Sequence, residues 1–291
     1  AEYIVFCGVH FMAESAAILA RPGQSVQIPD MEAGCWMADM ADPFIVERAW
    51  GELSNLLGDE AMTPIAYMNS EAESKAFCGR NNGLICTSSN ADKAFAWALE
   101  QRERIFFLPD QYLGLNTADK TGIPREEVAV WDPDFPLGGN TEEDLQRARV
   151  VLWKGHCLVH TRFSLEEIAE IRRTRPGAKI IVHPECTPEV VAAADASGST
   201  DSMIKYVERA SPGDEIVIGT EFNMIYRLQQ HYRDRTVLPL SRSICPNMGK
   251  IDLPKLCHTL ENPGQINVVT VEPEIRKQAR LALERMLALP G

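Results

Sequence analysis

Lys179-Ile180-Ile181-Val182-His183-Pro184-Glu185-Cys186 is an apolar strand with a polar tip, and it decides the fold because the pattern around it is repeated. After it come a predicted helix over 188–194, the Ser-rich turn Gly198-Ser199-Thr200-Asp201-Ser202, a helix over 202–210 and a strand over 215–218. A loop then leads to Cys245. Short apolar strands that alternate with helices are typical of a parallel sheet covered on both faces.

The middle of the chain contains the same order of elements. The strand and tip Ile65-Ala66-Tyr67-Met68-Asn69-Ser70 precede the turn Cys86-Thr87-Ser88-Ser89-Asn90, a third strand and finally Cys157. The start of the chain, Val5-Phe6-Cys7-Gly8-Val9-His10, matches only the third element, and Cys35 closes that unit. We therefore expect a truncated first unit that lacks its opening strand and Ser-rich turn, roughly fifty residues in all.

The repeat predicts an α/β fold of three pseudo-symmetric, three-layer αβα units with short parallel sheets around a central cluster site. The predicted first unit comprises residues 1–35 and 246–291, the second 36–157 and the third 158–245. The Gly- and Pro-rich stretch at about 110–149 is predicted to be a helix-plus-loop insertion at the rim, anchored by Trp131. Residues 51–63 are predicted to interrupt the pattern between the first two units.

The composition excludes several classes of function. The 291 residues carry a formal net charge of −12, with 45% hydrophobic and 24% charged residues. Nucleic acid is not an expected partner, because no Lys/Arg-rich block is interleaved with aromatic residues, and no apolar run is long enough to span a membrane. The eight cysteines form no Cys-x-x-Cys pair, which argues against a zinc ribbon and favours a reducing, cytoplasmic location.

Three of the cysteines end similar stretches, Ala33-Gly34-Cys35, Gly155-His156-Cys157 and Ser243-Ile244-Cys245. If each unit delivers one thiolate to a common centre, three thiolates can hold an iron–sulfur cube and leave one iron open as a Lewis acid. Burial as packing residues is the alternative, since cysteine is a common small hydrophobe. A mononuclear zinc hydrolase with the same thiolates is a further alternative. The other five, predicted to pack in the core, are Cys7, Cys78, Cys86, Cys186 and Cys257.

Polar side chains gather at the carboxyl ends of the predicted strands, where ligands bind in parallel α/β units. Some of these side chains are Ser or Thr hydroxyl groups in turns that open helices. They bind phosphate or carboxylate at the helix N-terminus, or they only cap the helices. The tip His183-Pro184-Glu185 supplies acid–base chemistry or is only a structural turn. For Tyr67 and His160, core packing is the alternative to a role in the site. These candidates are Tyr67, Asn69, Ser88, His160, His183, Glu185, Ser199 and Thr200.

Seven motifs in this order resemble those of the quinolinate synthase family. They are Gly8-Val9-His10-Phe11-Met12-Ala13-Glu14-Ser15-Ala16, Tyr67-Met68-Asn69-Ser70, Cys86-Thr87-Ser88-Ser89-Asn90-Ala91, Gly155-His156-Cys157-Leu158-Val159-His160, His183-Pro184-Glu185-Cys186, Gly198-Ser199-Thr200 and Cys245-Pro246-Asn247-Met248. The resemblance implies three αβα domains around an oxygen-sensitive [4Fe–4S] cluster. It also implies the condensation of iminoaspartate with dihydroxyacetone phosphate to quinolinate, phosphate and water in NAD biosynthesis, with L-aspartate oxidase as the supplier of iminoaspartate.

The resemblance further implies a role for each candidate. The implied cluster ligands are Cys35, Cys157 and Cys245. The implied catalytic residues are Glu185 as general base, His183, His160 and Tyr67. The implied substrate-binding residues are Tyr67, Asn69, Ser88, His183, Glu185, Ser199, Thr200 and Thr220. A His-x-Tyr tip and a Gly-Asp-Ser turn of the family have no counterpart here, so an inactive cluster-binding fragment or an interaction protein is the alternative function.

Overall fold

Three separate parallel sheets carry the fold in a computed structural model that describes residues 1–290. The first sheet pairs β1 (Tyr3–Val5) with β2 (Ser25–Gln27). The second contains β3 (Met62–Tyr67), β4 (Leu84–Cys86), β5 (Arg104–Leu108), β6 (Val128–Trp131) and β7 (Val150–Trp153), in the spatial order β4-β3-β5-β7-β6. The third contains β8 (Lys179–Val182), β9 (Ala196–Ser197), β10 (Glu215–Gly219) and β11 (Thr236–Pro239), in the order β11-β10-β8-β9.

Helices connect and cover these strands, which confirms the predicted α/β class. Within residues 1–290 they are α1 (His10–Leu19), α2 (Trp36–Asp39), α3 (Pro43–Leu57), α4 (Ala72–Arg80), α5 (Ala91–Gln101), α6 (Gln111–Thr121), α7 (Glu142–Arg147), α8 (Leu165–Thr174), α9 (Pro188–Ala193), α10 (Thr200–Arg209), α11 (Phe222–His231), α12 (Leu253–Glu261) and α13 (Pro273–Leu287). Among the described residues, no helix combines the length and the apolar character needed to cross a membrane.

The predicted interruption at residues 51–63 is shorter than expected, because the chain is helical up to Leu57 and only residues 58–61 separate this helix from β3. The helix α3 begins after Asp42, whose carboxylate accepts hydrogen bonds from the backbone N–H groups of Phe44 and Ile45. It buries one apolar face on the second sheet, including Val46 and Leu53. The cap and this face outweigh the low helix propensity of a single glycine in the middle of the helix.

The stretch 110–149 contains the predicted helix, α6, but it also contributes a strand to the second sheet. That strand, β6, lies at the sheet edge and pairs in parallel with β7. Trp131 at its end is buried and packs against Gly138, where a Cβ atom would lie 2.5 Å from the indole ring. The anchoring role expected for Trp131 is therefore confirmed, whereas the rest of the insertion is more regular than the Gly- and Pro-rich sequence indicates.

The C-terminal helix α13 packs against α4 and covers the second sheet, although the sequence assigns it to the first unit. Its residues Ala282 and Leu283 join one hydrophobic cluster with Ala76 and Phe77 of α4. The guanidinium group of Arg285 donates to the carbonyl oxygens at both ends of the α4–β4 turn, at distances of 3.3 and 2.6 Å. The ends of the chain and its middle thus share one core.

The contact between α4 and α13 gives a stability prediction. A Cβ atom at Gly79 would overlap the backbone carbonyl group of Gln278, and backbone on both sides prevents easy relief. We expect Gly79→Ala to lower the free energy of unfolding by about 2–3 kcal/mol, at the upper end of the usual cost of overpacking. Chemical denaturation monitored by circular dichroism measures this change.

Gly51→Ala is the matched control for that measurement. Gly51 also lies inside a helix, α3, but nothing stands within 4 Å of the place that its Cβ atom would take. Alanine is the better helix former there, by up to about 1 kcal/mol. A Gly79→Ala protein as stable as Gly51→Ala would show that the two helices can separate at no cost.

Candidate active site

A cavity of about 480 Å³ is lined by residues from all three predicted units. The strands β3, β4 and β8 end at it, so the polar tips predicted from the sequence come together there. Predicted site residues that line the cavity are Cys35, Tyr67, Asn69, Ser88, Cys157, His160, His183, Glu185, Thr200 and Cys245. The two that do not line it are Ser199 and Thr220, which lie behind its wall.

The three cysteines at this cavity are free thiols of intermediate burial. Backbone N–H groups of Met37 and Ala38 donate to the sulfur of Cys35, and Cys157 accepts two similar hydrogen bonds. Burial raises the pKa of Cys35 to about 12 and the pKa of Cys157 well above its ordinary value. Without a cation the thiols of Cys35 and Cys157 therefore keep their protons, and a metal that binds these two has to displace those protons.

The donor set at the cavity fits a thiophilic metal centre. One ligand atom each from Cys157, His160 and Glu185 lies within 4.8 Å of the other two, and Cys35 and Cys245 line the same space. Thiolate ligands select iron, zinc and iron–sulfur centres over calcium or magnesium. A metal site at this cavity is therefore chemically consistent with the side chains present.

The remaining cysteines divide into two groups. Cys78, Cys86 and Cys186 are buried, which confirms that they are packing residues. Cys7 and Cys257 are exposed, so the same prediction is wrong for them. Cys7 lies two positions after the last residue of β1, and Cys257 lies on the exposed face of α12. The apolar residues next to these two cysteines in the sequence do not indicate that the cysteine side chains are exposed.

Glu185 is the central polar group of the cavity and is almost fully buried. Its carboxylate accepts a hydrogen bond of 2.8 Å from Nδ1 of His160 and another from the Tyr67 hydroxyl. Burial alone raises the pKa of Glu185, but the adjacent His183 and His160 and these two hydrogen bonds outweigh burial and lower it to about 2. The site thus holds a buried, ionised carboxylate that faces a cavity.

Two stacked histidines support this carboxylate, with ring centroids 4.2 Å apart and planes 12° from parallel. Because a carboxylate only accepts, Nδ1 of His160 is the donor to Glu185, and Nε2 of His160 forms a hydrogen bond of 3.0 Å with the Thr220 hydroxyl. In His183, Nδ1 accepts from the backbone N–H of Glu185 at 3.3 Å. Burial lowers the pKa of His183 to about 3, so it is neutral and has an Nε2–H donor to offer.

Tyr67 completes the acid–base group at the end of β3. Its hydroxyl forms hydrogen bonds with Glu185 and Ser88. Burial, followed by the charge of Glu185, raises the pKa of Tyr67 well above its ordinary value, so the phenol stays protonated. A protonated phenol beside a carboxylate can donate to a ligand that displaces it.

The Ser-rich turns occupy two different places. Thr200 at the start of α10 lines the main cavity, whereas Ser199 caps this helix by accepting from the backbone N–H of Ser202 at 3.2 Å. Ser199 also lines a second cavity of about 280 Å³. Ser88 lines both cavities, so the two are neighbours. The capping role considered for Ser199 is therefore present, next to a space that an anion can reach.

Two residues at the site escaped the sequence analysis. Asp110 is fully buried, and its Oδ2 has no hydrogen-bond partner among the described residues. Burial, followed by the charge of Glu185, raises the pKa of Asp110 well above its ordinary value. Arg227 stands exposed at the cavity mouth and is the one lysine or arginine among its described lining residues. Glu221, which caps α11, and Met224 and Arg227 within that helix recur every third residue, and this spacing is the signal that identifies the face.

Comparison with known proteins identifies the family of the chain. The family model described as quinolinate synthetase A protein matches residues 1–288. Quinolinate synthase from Geobacillus thermodenitrificans is 52% identical over 295 residues, which cover 99% of this chain and 80% of that protein. The enzyme from a Nocardioides species is 51% identical over 303 residues, covering 100% and 77%, and that from Bacillus mycoides is 50% identical over 292 residues, covering 99% and 79%. The chain belongs to the quinolinate synthetase A family.

Proposed function

We propose that the protein is a quinolinate synthase, a transferase of NAD biosynthesis that condenses iminoaspartate with dihydroxyacetone phosphate to quinolinate, phosphate and water. The observation that supports this most is the cavity, where three thiols from three units surround an ionised carboxylate. Family membership favours this enzyme over a cluster-binding fragment without activity. L-Aspartate oxidase as supplier of iminoaspartate, and a cytoplasmic location, are parts of the same proposal.

Cys35, Cys157 and Cys245 would hold a [4Fe–4S] cluster in this cavity. Three thiols in place of four match a cluster with one iron free of protein ligands, and that iron supplies Lewis-acid chemistry when the cluster is bound. The proposed division into units, 1–35 with 246–291, 36–157 and 158–245, gives each unit one of these cysteines. No unit can then form the site without the other two.

Glu185 would remove the protons that the condensation and the loss of water require. Its low pKa in the free protein makes it a weak base, but a dicarboxylate beside it favours the protonated form and raises that pKa toward neutrality. His160 holds the carboxylate from behind, through a hydrogen bond anchored on Thr220. A protonated Glu185 can later return its proton to a leaving hydroxyl group.

Other side chains at the cavity would bind and orient the substrates. The neutral His183 donates from Nε2, the Tyr67 hydroxyl donates once a ligand replaces Glu185 as its acceptor, and the Asn69 amide offers both a donor and an acceptor. Ser88 and Thr200 present hydroxyl groups from turns that open helices, where negative charge is favoured. Carboxylates and phosphate, the anionic groups of the two substrates, match these donors.

Arg227 gives a prediction for substrate affinity. The cavity is lined by Glu185 and Glu221 in a protein of net charge −12, yet both substrates are anions. We expect Arg227→Gln to raise KM for one or both substrates about tenfold, the usual weight of a hydrogen bond to a charged group, with less effect on kcat. Steady-state kinetics at low and high ionic strength measure this, and the difference should shrink in high salt.

Arg209→Gln is the matched control for this variant, because Arg209 is an exposed arginine on α10 that does not line the cavity. Both changes remove one positive charge from the protein. Equal KM values in the two variants would show that Arg227 acts only through the net charge.

Anaerobic reconstitution with iron and sulfide tests the proposed function. The reconstituted protein is expected to be brown, with broad visible absorption, and to form quinolinate from the two substrates, as detected by chromatography. A colourless protein that binds one zinc ion would favour the zinc hydrolase. A brown protein that forms no quinolinate would leave the cluster in place and overturn the proposed reaction.

A further inference from the structure

A buried lysine lies directly behind the wall of the active-site cavity. Lys75 on α4 has no exposed surface, and its ammonium group donates to the carbonyl oxygen of Ser70. The same group lies 5.5 Å from the centroid of the Phe11 ring, and Phe11 lines the cavity. A lysine is almost never fully buried without partners, because removing its charge from water is costly.

Three ionisable side chains that lie close together, His10, Glu14 and Glu71, come from two of the proposed units and flank this lysine. Glu14 of α1 accepts from the backbone N–H of Ala72 at 3.0 Å, and Nδ1 of His10 lies 3.4 Å from the carboxylate of Glu71. Burial lowers the pKa of Lys75 to about 8, although Glu14 and Glu71 oppose this, and burial raises the pKa of Glu14 to about 7. Lys75, Glu14, Glu71 and His10 therefore form a cluster of ionisable groups between α1 and α4, and Lys75 and Glu14 are its buried members.

This cluster connects to the catalytic tip through a short series of contacts. The Ser70 carbonyl accepts from Lys75, and the Ser70 hydroxyl donates to the carbonyl oxygen of Tyr67 at 2.9 Å. On the α1 side, the Ser15 hydroxyl donates to the carbonyl of Phe11 at 2.8 Å and lies 3.5 Å from the sulfur of Met68. The tip that carries Tyr67 and Asn69 is thus contacted from behind at Ser70 and at Met68.

We propose that Lys75 is a positioning residue, which fixes the tip 67–70 so that Tyr67 and Asn69 face the substrates. The proposal rests on the proposed function only for the identity of those substrates. It differs from a purely structural role, in which the cluster joins α1 to α4 and the tip would keep its place without it. The positioning role and the structural role predict different results in an experiment that measures protein stability and the mobility of residues 67–70 separately.

Lys75→Met tests the proposal, because methionine fills similar volume and cannot donate. We expect kcat/KM for quinolinate formation, per reconstituted cluster, to fall about 10- to 100-fold, the weight of a hydrogen bond to a charged group. Amide hydrogen exchange of a peptide that contains residues 67–70 should become at least about tenfold faster. This second readout needs no turnover, so it remains decisive even if the protein forms no quinolinate.

The double variant Lys75→Met/Glu14→Gln separates positioning from stability. Lys75→Met alone leaves the Glu14 carboxylate buried without its cation, and the second change removes that charge while keeping an acceptor for Ala72. We expect the double variant to regain thermal stability but neither kcat/KM nor slow exchange at the tip. Recovery of all three would overturn the proposal and leave a structural cluster.

Ser74→Ala is the matched control on the same helix. Ser74 is as buried as Lys75, and its hydroxyl has no hydrogen-bond partner among the described residues. It should keep parental kcat/KM and parental exchange at residues 67–70. If Lys75→Met matched this control in both measurements, Lys75 would have no positioning role.

Discussion

Replacing any one of Cys35, Cys157 and Cys245 with alanine should remove the iron of the proposed cluster and abolish quinolinate formation. The three thiols line one cavity and come from three distant segments of the chain, so no neighbouring thiol can substitute. Cys78, Cys86 and Cys186 are buried elsewhere in the sheets' cores. Iron per protein, visible absorption and quinolinate formation after anaerobic reconstitution measure the loss.

Cys7→Ala and Cys257→Ala are the controls for this experiment. Both side chains are exposed and outside the cavity, so their loss should leave iron and activity unchanged. A Cys157→Ala protein that keeps its full iron content would disprove the ligand assignment.

Glu185→Gln should lower kcat by about 10²- to 10⁴-fold, the usual contribution of a general base. The glutamine amide has the same shape, and its oxygen can still accept from Nδ1 of His160, so the histidine pair should keep its position. The cluster should also stay, since the thiols are unchanged. Single-turnover kinetics with a matched iron content measure the chemical step directly.

Glu189→Gln is the control, because Glu189 is an exposed residue of α9 only four positions further along the chain. It removes the same charge without touching the cavity. Normal turnover by Glu185→Gln would mean that the His183-Pro184-Glu185 tip is a structural turn, as the alternative interpretation of the sequence holds.

The strand tips could be predicted from the sequence because two local properties determine them. A short apolar run fixes the strand, and in parallel units the carboxyl ends of neighbouring strands meet at one edge. Tyr67, His183 and the turn that opens α10 therefore converge as expected. The capping box of Ser164 and Glu167 at the start of α8 is equally local, and it is present.

Contacts between distant segments could not be predicted in the same way. The hydrogen bond from His160 to Glu185 joins residues 25 positions apart, and the one between His160 and Thr220 spans 60. Arg227 reaches the cavity from a helix face rather than a strand tip. The short strand β6 lies between prolines and glycines in the sequence, so the surrounding residues do not indicate a strand. Its extended form depends mainly on pairing with β7.

The packing of α13 on α4 also affects how the protein is made. The ribosome releases α4 long before α13, so Ala76 and Phe77 lack this one packing partner while the intervening chain is synthesised. Contacts between segments so far apart in sequence form slowly, since a long loop must close first. The core that α4 and α13 share can therefore be completed only after α13 itself has been synthesised.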